Sequence, residues 1–177
     1  MQISKENVFK QLNLFPGTRY MGSKEKLLPI LFETFNEINF KSAIDLMSGT
    51  SVVSYLLKSM GKEIIANDYM YMNHVIAKAL IKNNSSTVNT SKAKSLIKLN
   101  TSSRFISETF SELYYDKDNT VMIDNIRNNI DKLSSSNEKS IALAALVRSC
   151  IKKRPRGIFA YTGLKYNDGR KDLRLSI

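Results

Sequence analysis

Apolar positions recur along the chain in two rhythms. Ile3, Val8, Phe9 and Leu12 fall on one side of a short helix over residues 3–13. From Lys24 to about Ile38, a broader helical stripe is formed by Leu27, Leu28, Leu31, Phe32 and Phe35. Ser23 stands where an N-cap would start that helix, and Pro29, late for a first turn, predicts a local bend. Ser42-Ala43-Ile44 predicts a short buried strand, and Glu63–Asn67 a second. Between them Ser51–Met60 is spaced as a helix, and Gly61 follows where a left-handed residue closes one. The order is strand, turn, helix, strand. Met70–Asn83 predicts a further helix, with Tyr71, Val75, Ala79 and Leu80 among its apolar positions. A polar break at 83–87 follows, and residues 90–150 then read mainly as helices. Among them, Val121, Ile123, Ile126, Ile130 and Leu133 keep near-helical spacing, and Ile141–Val147 is apolar on most sides, as in a buried helix. This divides the chain into an α/β portion over 1–84 and a helical, then basic, portion over 85–177.

The turn inside the strand–helix–strand unit is Asp45-Leu46-Met47-Ser48-Gly49-Thr50, and the second strand ends at Asp68. Open α/β sheets bind ligands at the carboxyl ends of their strands. Gly49 allows close backbone approach, and the helix after it offers unpaired N–H groups. Asp68 lies 23 residues after Asp45, near the spacing at which a strand-end acid takes ribose hydroxyls. A single glycine is less than the three-glycine dinucleotide fingerprint, so an ordinary βαβ unit with a tight turn stays open. A nicotinamide enzyme on the same unit is disfavoured by the few glycines.

Charge changes the picture more than length does. The chain carries a net +11 with a pI near 9.7, which favours an anionic partner, nucleic acid first. No apolar run approaches a membrane span and no leader is visible, so no membrane is expected and the cytoplasm is the expected location. One cysteine, Cys150, and one histidine, His74, exclude an internal disulfide and a typical zinc site. Over residues 148–177 nine basic residues stand against two acidic ones, with Tyr161 and Tyr166 interleaved. Basic side chains release counterions from DNA phosphates, and aromatic faces stack or wedge at bases. Pro155, Gly157, Gly163 and Gly169 give the segment a loop- or hairpin-like character.

Arg19-Tyr20-Met21-Gly22-Ser23-Lys24, then the Asp45–Thr50 turn, then Ala66-Asn67-Asp68, resemble in order the opening of the Dam-like adenine-specific DNA methyltransferases. The resemblance implies a Rossmann-like fold that binds S-adenosylmethionine, here incomplete. A mainly helical insertion and a basic, hairpin-like target-recognition segment would follow the cofactor loops. Carried over residue by residue, Tyr20 and Lys24 would contact the cofactor from the first loop, Asp45, Ser48 and Gly49 would line its methionine side, and Asp68 would hold the ribose. In charge terms, Lys24 suits the cofactor carboxylate, Asp45 its amino group and Tyr20 a cation or ring. Gly157-Ile158-Phe159 fits the start of the recognition hairpin, and Lys152, Lys153, Arg154, Arg156, Tyr161 and Arg170 are assigned to DNA contact. Ser23, Met47 and Ser51 stand where the family carries glycine, phenylalanine and glycine.

The family's Asp-Pro-Pro-Tyr element, which receives a flipped adenine, is absent: the three prolines, Pro16, Pro29 and Pro155, are nowhere adjacent. No catalytic residue and no metal ligand is therefore assigned. The expected function is the N-terminal part of a site-specific, restriction–modification type DNA adenine methyltransferase acting on double-stranded DNA. By itself the chain is expected to be inactive, with part of its core face exposed, and a second polypeptide is one source of the catalytic half. The alternative is a non-catalytic DNA-binding or regulatory module that keeps the scaffold.

Overall fold

The structure is a computed structural model, and it describes residues 3–18, 20–100 and 103–153. The chain forms two compact units, residues 1–85 and 86–177.

The first unit opens with helix α1, Lys5–Leu12, whose N-cap Ser4 accepts a hydrogen bond from the Asn7 amide. A single 3₁₀ turn, Glu25–Leu27, leads into α2, Leu28–Glu37. The bend expected at Pro29 is replaced by this change of helix type. The α-helix proper starts at Leu28, which leaves Pro29 in the first turn, where its missing N–H leaves no bond unmade. Strand β1, Ser42–Asp45, passes through helix α3, Val52–Ser59, into strand β2, Glu63–Ala66, and the strands pair in parallel with Ile44 opposite Ile65. Gly61, at φ 77°, ends α3: its amide donates to Lys58 O and that of Lys62 to Leu57 O, the paired bonds of a Schellman close. Helix α4, Tyr71–Ala77, continues as one π-helical stretch, Lys78–Lys82.

One core joins α1, α2 and α3 through Val8, Leu12, Leu28, Phe32, Val52 and Leu56. The Phe9 and Phe32 rings meet edge to face at 5.5 Å. Leu56 is fully buried, a burial worth roughly 1.5–3 kcal/mol. The strands depart from the expected buried pair. Ser54 of α3 bonds to Asp45, so α3 covers the face that Asp45 shares with Ala43. Ile44 and Ile65 lie on the other face and are 62% and 64% exposed. Tyr71, expected on the apolar side of α4, is also exposed, whereas Val75, Ile76, Ala77, Ala79 and Ile81 are buried.

The described part of the second unit is helical: α5 (Thr90–Leu96), α6 (Phe105–Phe110), α7 (Lys117–Asp131) and α8 (Ser136–Lys153). Leu96, Ile126, Ile130, Ala142 and Leu146 form its core. Val121, placed in the apolar stripe by its spacing, is 42% exposed. Next to that stripe α7 buries a polar row. Asn125 and Asn129 donate to the carbonyls of Lys98 and Leu96, and Asp124 accepts from the Ile106 and Ser107 amides. Side chains of α7 thus stand in for the backbone partners that the connection before α6 lacks. Among the described residues the expected α/β architecture is represented by one βαβ unit and helices. The expected basic hairpin, with Gly157-Ile158-Phe159, lies outside them.

Candidate functional site

The two strand ends are fastened to each other before any ligand is considered. Past β1 and β2 the backbone pairing runs on, with the Asn67 amide donating to Asp45 O at 2.8 Å and the Ser48 amide to Asn67 O at 2.9 Å. Asp68 completes the join. Its Oδ2 accepts from the Gly49 amide at 2.8 Å, and its Oδ1 from the Met70 amide and Asn73 Nδ2, both at 2.9 Å. Burial alone would raise this carboxyl, but the donors from Met70, Asn73, Gly49 and Tyr69 outweigh it and hold the group below the ordinary carboxylate value. Asp68 is therefore an ionised clamp between the glycine turn and the start of α4.

Gly49 has φ 53°, and a Cβ added there would lie 3.3 Å from Tyr20 Cε1, so the tyrosine ring rests directly on the turn. Tyr20 brings the N-terminal loop with it: its hydroxyl accepts from Asn73 Nδ2 at 3.0 Å and donates toward Met70 Sδ at 4.0 Å. The Asp45 carboxylate receives the Ser54 hydroxyl from the first turn of α3 at 2.6 Å. Lys24 is exposed and makes no ion pair among the described residues.

These groups enclose a cavity of about 590 Å³. All six residues named from the sequence, Tyr20, Lys24, Asp45, Ser48, Gly49 and Asp68, line it, together with apolar surface from Leu27, Leu31, Met47, Val52 and Val53. Its volume and mixed polar and apolar lining suit a polar ligand of nucleoside size. Ser48 is 8% exposed and lines the cavity, while its hydroxyl oxygen is itself buried and has no partner. S-adenosylmethionine has a carboxylate, an amino group, a ribose and an adenine, and the lining offers one cation, two carboxylates, a hydroxyl and an aromatic face.

Pattern reading missed Ser54 and Asn73. Both lie on helix faces otherwise read as apolar, Ser54 one turn from Leu57 and Asn73 one turn from Ile76 and Ala77, and both are fully buried. A small polar residue inside an apolar stripe next to a strand-end acid was the available signal.

The basic residues are less assembled. Lys152, on the last turn of α8, is exposed. Lys153, expected on the DNA-contacting surface, is instead only 4% exposed. Desolvation lowers its pKa, against the opposing pull of Asp116 and Cys150. Arg19, Arg154, Arg156, Tyr161 and Arg170 lie outside the described residues. The Cys150 thiol is pushed up by burial to about 11, which leaves it no nucleophilic role near neutral pH. Among the described residues no group of His, Cys, Asp and Glu could hold a metal ion, and no helix is long and apolar enough to cross a membrane.

The sequence profile of the D12 class N6 adenine-specific DNA methyltransferases matches residues 20–156. The chain belongs to that family. This D12-class chain is also 28% identical over 158 residues to the Type II methyltransferase M2.HphI of Haemophilus parahaemolyticus, an alignment covering 89% of the chain and 47% of the relative. It therefore spans about half the length of that curated relative. No solved structure matches it. The matched span begins at Tyr20 and takes in every residue lining the cavity.

Proposed function

We propose that the portion over residues 1–84 of this D12-class chain binds S-adenosylmethionine. It would belong to a site-specific enzyme that methylates the exocyclic amino group of adenine in double-stranded DNA, and residues 85–177 would serve DNA recognition. The observation that carries this reading is the convergence of Tyr20 and Lys24, Asp45–Gly49 and Asp68 on one cavity. Lys24 would meet the ligand carboxylate and Asp45 its amino group, with Ser48 and Gly49 lining the methionine side. Tyr20 would offer a ring face, and Asp68 would add a ribose contact to its clamping role. Bound there, the cofactor supplies a methyl group carried on a sulfonium. A single thiol and a DNA substrate fit a cytoplasmic enzyme.

The 177 residues contain no Asp-Pro-Pro-Tyr, so by themselves they hold a methyl donor without turning over DNA. The same absence favours, as a second reading, a DNA-binding module that keeps the scaffold without using it. Calorimetric titration with S-adenosylhomocysteine, paired with a labelled-methyl transfer assay on DNA, separates the two. Saturable binding that is lost in Asp68→Ala, with no methyl transfer, supports the first. DNA binding without any response to the cofactor supports the second, and turnover by the isolated chain overturns the proposed inactivity.

A further inference from the structure

We infer that Asn73, which does not line the cavity, is the positioning residue that sets two of its walls, a reading that rests on the proposed cofactor site. Asn73 lies in the first turn of α4 and is fully buried. Its amide nitrogen makes two bonds, to Asp68 Oδ1 at 2.9 Å and to Tyr20 Oη at 3.0 Å. The orientation of this amide is fixed by chemistry. An ionised carboxylate only accepts, so the nitrogen must face Asp68. The carbonyl oxygen is then forced to the far side, where it is buried and has no partner. A buried acceptor left unpaired works against folding, and an apolar residue there would avoid it. What the amide holds in return is the cavity.

The contacts close a ring. Asn73 donates to Asp68, Asp68 accepts from the Gly49 amide, Gly49 supports the Tyr20 ring, and the Tyr20 hydroxyl accepts from Asn73. Because that hydroxyl oxygen is occupied by Asn73, its proton is directed to Met70. Three sequence-distant segments are tied through this one amide: the N-terminal loop, the glycine turn and the end of β2. Tyr20 and Asp68 are the two groups placed to meet the nucleoside part of a ligand, and Asn73 holds both at once. Removing it frees the N-terminal loop from the sheet end while leaving every cavity-lining side chain in the sequence.

A double-mutant cycle on the full chain tests this, using Asn73→Leu, Tyr20→Phe and the pair, with S-adenosylhomocysteine affinity read by calorimetry and folding by thermal melt. Tyr20→Phe keeps the ring over Gly49 and deletes only the hydroxyl. Loss of a hydrogen bond to a charged group predicts binding weaker by roughly tenfold or more in Asn73→Leu. Because both single changes break the same link, the double variant should be no more than about twofold weaker than Asn73→Leu. A purely structural role gives losses that add and that follow the melting temperature. Asn73→Ala, which adds no charge beside Asp68, gives the same reading if Asn73→Leu does not fold. If the wild type binds and Asn73→Leu binds within twofold of it, or if the losses add, this inference falls and the cofactor site stands. If the wild type itself does not bind, both fall.

Discussion

Ser51 shows how much a single backbone angle governs here. It has φ 62° and ψ 25°, a left-handed conformation at the start of α3, and it is fully buried with its hydroxyl unpartnered. Left-handed geometry costs a residue with a Cβ roughly 1–2 kcal/mol, and an orphaned buried hydroxyl adds to that. Glycine would remove both, offset by the about 0.4–1 kcal/mol of extra freedom it gives the unfolded chain. Ser51→Gly should therefore stabilise the first unit by about 1 kcal/mol, seen as a higher melting temperature; an unchanged or lower one would show that the serine side chain is better accommodated than its geometry implies. The residues that line the cavity were legible chiefly because three short motifs stand in the order that resembles the family, with Gly49 and Asp68 also readable from the strand–turn–helix–strand spacing. Asn73 and Ser54 were not, since their roles come from what helix packing sets beside them. Lys153 is the opposite case: its charge suggested a surface position, and the residue is buried.

Among the elements, the end of α4 depends on one side chain from α3. The Lys58 ammonium donates to the carbonyls of Leu80, Ile81 and Asn83 at 2.8, 2.8 and 2.6 Å, at the C-terminal end of the π-helical stretch. Lys58→Met keeps the apolar stem but removes all three ammonium bonds. It should destabilise the first unit by about 1–3 kcal/mol in denaturant titration, and a change under about 0.5 kcal/mol would mean that solvent replaces the ammonium freely. Helix positions were readable from apolar spacing, and Gly61 marked the end of α3 correctly because its left-handed close is a local property. Strand burial was not readable: Ser42–Asp45 and Glu63–Ala66 have apolar residues to bury, but α3 covers only one face of the pair. The polar row on α7 escaped for a related reason, since Asp124, Asn125 and Asn129 look like an ordinary solvated face until the connection they cap is in place.

At the scale of the whole molecule, a net charge of +11 and membership of the D12 class point the same way, toward DNA. The chain spans about half of the related Type II methyltransferase. The central claim is narrower than either point: three stretches far apart in sequence form one binding site for a methyl donor. Backbone amide NMR of the isotope-labelled chain titrated with S-adenosylhomocysteine tests it most directly. The account predicts that amides in residues 20–24, 45–50 and 68–70 shift together, with one common dissociation constant. Shifts confined to one of these stretches, or gathered instead on the helices of residues 86–153, would contradict it.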